Sequence, residues 1–219
     1  MSAQLAFDLR RRPALDADDF LIAPCNQDAV AWLDHWPNWP APLLTLYGPR
    51  ACGKTHLAHV WRNRSRAVFL KLDAVSKQSP YDALGDNAAC IIENVDGGDA
   101  LDETALFHLY NAARDKGGHI LLTATTAPAT WTLNLPDLRS RLVAAPTAAI
   151  GAPDDAVLGG VLVKLFQDRQ LRVEPDVLSY ILIRMERSFD AALAIVDALD
   201  TAAMAAQRTI TIPFARKIL

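Results

Sequence analysis

The most chemically specific stretch of the sequence is GPRACGKT, residues 48–55, which fits the pattern G-x-x-x-x-G-K-[ST] at every fixed position. Glycines let backbone N–H groups wrap around phosphate oxygens, and the N-terminus of a following helix adds a favourable dipole. Lys54 can reach the β- and γ-phosphates, and the Thr55 hydroxyl can hold Mg²⁺. The alternative, a chance glycine turn, is disfavoured because an apolar run precedes the loop and a helical pattern follows it. The stretch predicts a site for ADP or ATP with Mg²⁺, formed by Gly48, Pro49, Arg50, Ala51, Cys52, Gly53, Lys54, Thr55 and His56.

A second candidate group follows the apolar run AACII, residues 88–92. A phosphate loop that hydrolyses ATP needs an acidic residue for the Mg²⁺ water shell and an adjacent carboxylate that positions the attacking water. Here Glu93 takes the metal-side position and Asn94 the catalytic one, where an amide cannot act as a base. Asp96 lies two residues further on, with no direction that the sequence specifies, and Glu93 capping the strand is the alternative. We predict strong nucleotide binding with weak or absent intrinsic hydrolysis.

Two further groups of polar residues lie downstream. Thr123 and Thr125 end the apolar run that begins at His119, and they are placed to sense the γ-phosphate from a strand beside the loop. That threonines simply suit a strand is an equal alternative. Arg139 and Arg141 lie two residues apart just before the C-terminal region, and solvated surface charges are the alternative for them.

The elements that must position these residues alternate along the chain. Helical patterns separate apolar runs, which predicts an α/β fold with a parallel sheet covered on both faces. After about Pro153 the pattern becomes entirely helical. The predicted strands are 43–47, 67–72, 88–93 and 119–123, and the predicted helices are 26–36, 55–64, 103–116, 154–170, 175–187 and 189–207, with a short last helix opening at Ile212. The predicted domains are a flexible tail of residues 1–12, a nucleotide-binding domain of residues 13–152 and a small all-helical domain of residues 153–219.

Composition excludes several other classes. The chain has 219 residues with 51% hydrophobic and 21% charged, which is close to the globular average and unlike a disordered protein. A net charge of -3 argues against a protein that coats nucleic acid through bulk charge. Three scattered cysteines form no CxxC pair, and the five histidines form no ligand cluster that would indicate zinc. No run is long enough to span a membrane, so a soluble cytoplasmic protein is expected.

The order and spacing of these features resemble the AAA+ ATPases of the DnaA/Hda family, over essentially the whole chain. Besides the phosphate loop, the resemblance rests on FLIAPCN at 20–26, ETALFHLYN at 103–111, LPDLRSRL at 135–142 and AAQRTITIPFARKIL at 205–219. It implies a P-loop NTPase core of the AAA+ type with a helical lid. It also implies that Phe20, Leu21 and Ile22 line the adenine pocket.

The resemblance further implies roles for the arginines. Arg141 would be an arginine finger inserted at a neighbouring subunit's nucleotide, and Arg139 would support that surface. The lid position where such proteins carry a sensor arginine aligns with Asp190. Either Arg187 serves as the sensor instead, or the protein favours ADP over ATP. The family's DNA-reading helix-turn-helix would have to follow Leu219, so DNA is expected to be reached only indirectly.

The first residues of the sequence are similar to the short peptide by which family members bind the DNA polymerase III β sliding clamp. Gln4 would make polar contacts at the rim, while Leu5, Phe7 and Leu9 would fill an apolar pocket. The implied function is repression of replication re-initiation: the chain binds the clamp and stimulates ATP hydrolysis by DnaA. A finger that works in trans also predicts a homodimer or head-to-tail contacts. The alternatives are a stand-alone AAA+ ATPase and a DnaA-related origin-targeting or remodelling factor.

Overall fold

A five-stranded parallel sheet is the centre of the nucleotide-binding part of the molecule. The computed structural model describes residues 22–77, 79–96 and 101–219. The strand order is β2-β3-β4-β1-β5. In register, Leu43 of β1 lies opposite Ile120 of β4, and Thr45 lies opposite Thr147 of β5. The strands are β1 (Leu43–Tyr47), β2 (Val68–Leu70), β3 (Ala89–Ile92), β4 (His119–Ala124) and β5 (Thr147–Ala149).

In the described chain, helices precede the first strand, connect the strands to one another and follow the last strand. They are α1 (Gln27–His35), α2 (Lys54–Ser65), α3 (Pro80–Ala83), α4 (Glu103–Lys116), α5 (Pro136–Ala144), α6 (Asp155–Asp168), α7 (Pro175–Arg184), α8 (Phe189–Ala206) and α9 (Ile212–Ala215). Short 3₁₀ turns occupy Leu72–Ala74 and Pro128–Thr130. In the part of the chain that the structure describes, no helix is both long and apolar enough to cross a bilayer.

The central strands are mostly apolar, as is typical of parallel strands covered on both faces, although Thr45 of β1 and Thr123 of β4 are buried polar residues. All residues of β3 are buried, and β1 is buried from Leu43 to Leu46. Helix α4 supplies much of one covering layer through Leu106 and Leu109, which are fully buried, and α5 adds Leu138. Fully burying a leucine stabilises the fold by about 1.5–3 kcal/mol. The core therefore holds the carboxyl ends of β1, β3 and β4 in one rigid edge.

The turn between α4 and β4 needs its two glycines for different reasons. Gly117 ends α4 in the left-handed region with φ of 63°, a conformation that glycine adopts without a side-chain clash. At Gly118 a Cβ atom would lie 2.1 Å from the carbonyl oxygen of Ala88. Because the two backbones approach this closely, the backbone N of His119 donates to the same Ala88 carbonyl at 2.8 Å, and the β3–β4 pairing begins there.

The chain divides into two compact units. One contains residues 26–49 and the described residues of 53–151; the other contains the described residues 22–25, residues 50–52 and residues 152–219. Helices α6 to α9 of the second unit have their own core, to which Leu162, Phe166, Ile181 and Val196 belong. Side chains cap two of them: Asp154 accepts from Val157 N at the start of α6, and Ser188 accepts from Ala191 N at the start of α8.

Three elements that the sequence patterns did not predict are present, namely α3, α5 and β5, and two predicted strands, β2 and β3, are shorter. Strand β5 has only three residues, Thr-Ala-Ala, which carry no strong strand preference. Helix α5 begins with Pro136 in its first turn and shows little amphipathic contrast between its faces. Strand β2 spans three residues instead of the predicted six, because Arg66 ends α2 in the left-handed conformation immediately before Ala67 and a 3₁₀ turn begins at Leu72.

Candidate functional site

The phosphate loop lies at the carboxyl end of β1, which the sheet order places between β4 and β5. Gly53 has φ of 95° and directly precedes α2, which begins at Lys54. A residue with a Cβ would be strained in that conformation, so the second glycine of the pattern has a direct structural reason. The first turn of α2 contains no acidic residue. Its N–H groups can therefore bind an anion without competition from a carboxylate on the same turn.

Lys54 is buried and held against the start of the loop. Only 7% of the residue is exposed, and its Nζ donates to the carbonyl oxygens of Gly48 at 2.8 Å and Pro49 at 2.7 Å. These bonds place a positive charge at the end of β1, at the first glycine of the loop. Thr55 beside it is exposed, and His56 is partly exposed. Of the other loop residues, Arg50 and Ala51 are exposed while Cys52 is buried.

Glu93 follows β3 and has a buried carboxylate oxygen, Oε1, with no hydrogen-bond partner. A buried oxygen without a donor costs about 1–3 kcal/mol, more when it is charged, and a bound cation would remove that cost. Carboxylate and hydroxyl oxygens are the donors that Mg²⁺ prefers. The oxygen donors of Glu93 and Thr55 therefore fit the predicted metal chemistry.

Asn94, predicted at the catalytic position, lies in the left-handed region with φ of 54°. Its backbone N donates to Thr123 Oγ1 at 3.0 Å, and the next residue, Val95, donates to the Thr123 carbonyl at 3.0 Å. Thr123 is fully buried. Its hydroxyl is thus engaged in joining the exit of β3 to β4, and its proposed sensing role stays a prediction.

The structure shows the direction of Asp96, which the sequence left open. Its carboxylate accepts from the backbone N of Thr125 at 2.9 Å and from that of Thr126 at 2.8 Å. Both threonine hydroxyls donate to it as well, at 2.6 Å and 2.9 Å. Partial burial alone would raise the pKa of Asp96, but these hydrogen bonds outweigh it and hold the pKa below its ordinary value. Asp96 therefore ties the exit of β3 to the exit of β4, and Thr125, like Thr123, has its hydroxyl engaged within the chain.

Helix α5 carries the two predicted partner-facing arginines, and Glu103 of α4 anchors its start. The Glu103 carboxylate accepts from Asn134 N at 3.0 Å and from Leu135 N at 2.6 Å. The hydrogen bond from Asn134 N contributes most to holding the pKa of Glu103 below its ordinary value. Arg139 is exposed and Arg141 half-buried on the anchored helix.

Neutral groups of α4 hold Arg141. Its guanidinium donates to Asn111 Oδ1 and lies over two aromatic rings, 4.3 Å from the Phe107 centroid and 5.1 Å from that of Tyr110. In the part of the chain that the structure describes, no carboxylate pairs with Arg141. The sequence patterns assign these α4 residues no contact with Arg141. Their spacing of three and four residues, which puts them on one helix face, was the available signal.

In the helical unit, Arg187 pairs with Asp155 at the start of α6. Its Nε lies 3.1 Å from Oδ1 and its terminal nitrogen 3.3 Å from Oδ2, with both side chains more than half exposed. Asp190 lies in the first turn of α8, where a negative charge suits the helix dipole. Stabilisation of the α8 N-terminus is therefore a physical reason for an acidic residue at position 190. Arg187 as the sensor stays a prediction.

Several predicted site residues are outside the described chain. Phe20 and Leu21 of the expected adenine pocket are among them, and Ile22, the first described residue, is partly exposed. The predicted clamp-binding residues Gln4, Leu5, Phe7 and Leu9 also lie outside it.

The C-terminal helices are similar to a known protein family. The family model described as the lid domain of Hda matches residues 160–219. An uncharacterised protein of Haemophilus influenzae is 29% identical over 192 residues, covering 81% of each chain.

Solved structures share the fold of nearly the whole chain. Domain III of the replication initiation protein DnaA from Thermotoga maritima superposes with a TM-score of 0.75 at 17% identity, covering 94% of this chain and 97% of that one. AMPPCP-bound DnaA from Aquifex aeolicus gives a TM-score of 0.67 at 15% identity, covering 89% of this chain and 66% of that one. These similarities confirm the predicted fold class, an AAA+ P-loop sheet core with a small all-helical lid.

Proposed function

We propose that the chain is an AAA+ protein related to Hda and DnaA, that it binds an adenine nucleotide and that it stimulates ATP hydrolysis by the initiator DnaA. The observation that supports this proposal is the environment of Arg141. An amide oxygen and two ring faces orient its guanidinium, and no carboxylate of the described chain neutralises it. Its positive charge therefore remains available to stabilise the charge that develops on a transferring phosphoryl group in a partner.

The nucleotide proposal rests on the loop between β1 and α2. Lys54 supplies a positive charge, and the N–H groups of the loop and of the first α2 turn supply donors for phosphate oxygens. Thr55 and Glu93 are the residues that would hold Mg²⁺, which neutralises phosphate charge when bound. DnaA from Aquifex aeolicus, which shares the fold, is bound to the ATP analogue AMPPCP. ADP or ATP is the nucleotide that we propose for this chain.

Weak or absent intrinsic hydrolysis is part of the proposal. The residue after Glu93 is Asn94, and an amide cannot accept a proton from an attacking water. Asp96, the next carboxylate along the chain, is saturated by Thr125 and Thr126. Neither residue offers a free base at the end of β3. The chain is thus suited to act on another protein's nucleotide.

The partner proposals extend beyond the described chain. We propose that the segment from Gln4 to Leu9 binds the DNA polymerase III β sliding clamp, because its apolar residues need a partner surface. Clamp binding would bring the chain to newly replicated DNA, where DnaA inactivation represses re-initiation. Head-to-tail contact, with DnaA or between copies of this chain, follows from a finger that acts in trans.

The test is the rate of DnaA-bound ATP hydrolysis in the presence of clamp-loaded DNA. Replacing the finger by Arg141→Ala should return this rate to the level without the protein, since arginine fingers contribute on the order of 10³-fold or more. The matched control is Arg114→Ala, which removes an exposed arginine from α4. ADP affinity should be the same for all three proteins.

Two outcomes would contradict the proposal. Full stimulation by the Arg141→Ala protein would exclude the finger role. Rapid phosphate release by the purified wild-type chain alone would support a stand-alone ATPase in its place. Replacing both Gln4 and Leu5 by alanine should abolish clamp pull-down. This measurement tests the tail independently of the finger.

A further inference from the structure

An open cavity of about 400 Å³ lies where helix α5 meets the 3₁₀ turn at Pro128–Thr130. Both elements and the segment that joins them form its walls. The residues of α5 that line it recur at a spacing of three or four, so they lie on one face of the helix. The full lining consists of Ala129, Leu133, Pro136, Arg139, Ser140 and Val143, and we call these six residues the α5 groove.

The α5 groove is mostly apolar and open to solvent. Val143 is 51% exposed, although a single exposed valine is ordinary on a protein surface. Here, however, the valine shares a concave site with Ala129, Leu133 and Pro136. Binding sites are typically concave and mostly apolar, with a few polar groups that set orientation. The groove therefore has the form of a site that receives an apolar group.

Internal contacts fix the walls of the groove. In the 3₁₀ turn, Thr130 Oγ1 donates to the Ala127 carbonyl at 2.8 Å. Leu133 packs against the core of the sheet, and Glu103 anchors the start of α5. A site that is already formed loses little conformational entropy when it is filled. The groove is therefore ready to receive a partner without rearranging.

Arg139 is the one charged residue among those that line the groove. It is exposed, and its guanidinium makes no ion pair or hydrogen bond within the part of the chain that the structure describes. Asp137, the only acidic residue of α5, lies two positions away, and side chains at that spacing do not face each other on a helix. A carboxylate from outside could pair with Arg139 through two parallel hydrogen bonds. The groove thus fits an apolar side chain that has an acidic neighbour.

The position of Arg141 indicates which partner supplies these groups. Along the axis of α5, Arg141 lies between Arg139 and Val143, on the flank that faces α4. A helix with its side chains is about 10–12 Å across. A standard interface covers about 800 Å² of each protein, which corresponds to a disc of roughly 16 Å radius. A protein that surrounds Arg141 through such an interface therefore also covers the α5 groove.

We propose that the α5 groove is the docking site for the protein whose nucleotide receives Arg141, and that this partner inserts an apolar side chain flanked by a carboxylate. The inference rests on the proposed function, which makes DnaA that partner. It gives the two flanks of α5 different tasks. Arg141 contributes mainly to the rate of hydrolysis, whereas Val143 and Arg139 contribute mainly to affinity.

The test is the affinity of the ADP-bound chain for immobilised ATP-loaded DnaA, measured by surface plasmon resonance. Val143→Ala should weaken binding about tenfold, because two methyl groups lose their burial. The matched control is Ile183→Ala, which shortens an aliphatic side chain of α7 that is 71% exposed and should keep the wild-type affinity. Arg141→Ala should lower the rate of DnaA-bound ATP hydrolysis far more than it lowers affinity.

The charged part of the groove has a separate test. Arg139→Glu should weaken binding at least tenfold, because a carboxylate would then face a carboxylate. Arg172→Glu, which makes the same charge change at an exposed arginine of the helical unit, is the control. Between about 50 and 200 mM salt, Arg139→Ala should show a shallower loss of affinity than the wild type, while Val143→Ala should keep the wild-type slope.

The outcomes distinguish this proposal from the proposed function. Binding and stimulation by the wild type, with equal affinity for Val143→Ala, would overturn the docking proposal alone. Equal weakening by Ile183→Ala would overturn it as well, as would a Val143→Ala protein that loses self-association in ultracentrifugation and keeps its affinity for DnaA. A wild-type chain that does not bind DnaA would overturn both proposals. Val143 and Arg139 are exposed, so the melting temperatures of their variants should match that of the wild type and exclude damage to the fold.

Discussion

Five hydrogen bonds from Thr125 and Thr126 reach the carboxylate of Asp96, and they show how one side chain shapes the candidate site. The carboxylate joins the exits of two neighbouring strands at the edge where the phosphate loop also lies. Because the donors favour the charged form, the pKa of Asp96 is lowered despite partial burial. A group with this role contributes to stability in a pH-dependent way.

Replacing Asp96 by alanine should lower the free energy of unfolding at pH 7 by about 1–3 kcal/mol, because the hydrogen bonds from Thr125 and Thr126 to a charged acceptor are lost. The folded-state pKa is below the unfolded value of about 3.9. The contribution of Asp96 is therefore present above that value and is lost as the pH falls through the folded-state pKa. Urea unfolding of both proteins at pH 7 and near pH 3 measures this difference. Asp86→Ala, which removes an exposed carboxylate, is the control, and a gap that widens on acidification would contradict the prediction.

Among the helices, α5 is the element whose position matters most for the proposed activity. Leu138 and Leu142 fix one of its faces in the core, and Glu103 fixes its start through Asn134 and Leu135. The position of Arg141 is thus fixed both by the contacts of its side chain and by the anchoring of α5. A small displacement of such a group costs much of its catalytic effect, about 10²-fold for roughly 1 Å.

Removing the anchor with Glu103→Ala should reduce stimulation of DnaA-bound ATP hydrolysis about ten- to a hundredfold while leaving ADP affinity unchanged. The phosphate loop lies on different elements, so nucleotide binding does not need this carboxylate. Glu103→Gln should recover part of the activity, since its amide oxygen can still accept from one N–H. Thr104→Ala, an exposed neighbour, is the control. Equal activity of the alanine and wild-type proteins would show that Leu138 and Leu142 suffice to hold α5.

The described chain forms a sheet-containing unit and a helical unit, each with its own core. A ligand that binds only the folded protein raises the free energy of unfolding by mass action. Bound nucleotide should therefore appear as thermal stabilisation of the intact chain, even without measurable hydrolysis. This readout is independent of DnaA and of the clamp.

ADP with Mg²⁺ at about a hundred times its dissociation constant should stabilise the wild-type chain by about 2.7 kcal/mol. Lys54→Ala should lose most of this shift, because the residue supplies the positive charge at the loop. Its own baseline stability can fall as well, so the comparison is the ADP-induced change in Tm within each protein. Lys77→Ala, which removes an exposed lysine, should keep the full shift. A full shift in the Lys54→Ala protein would exclude the predicted phosphate contact.

Local sequence patterns were enough to predict the phosphate loop, the central strands and the helical lid. The phosphate loop can be recognised from adjacent residues alone, because its glycines, lysine and threonine follow one another directly after a buried strand. The apolar runs of β1, β3 and β4 reflect the burial of these strands on both faces. Local patterns did not predict α3, β5 or α5, whose short or weakly amphipathic sequences carry little local signal.

Only the tertiary structure decided where the polar side chains of the site point. Asp96 meets threonines 29 and 30 positions away, and Arg141 meets Asn111 30 positions away. The strand order β2-β3-β4-β1-β5 and the packing of α5 on α4 create those encounters. No periodicity within one segment encodes them. The sequence by itself thus determined that the chain carries a nucleotide loop in an α/β core, and the fold decided which of its charges are satisfied internally and which remain available to a partner.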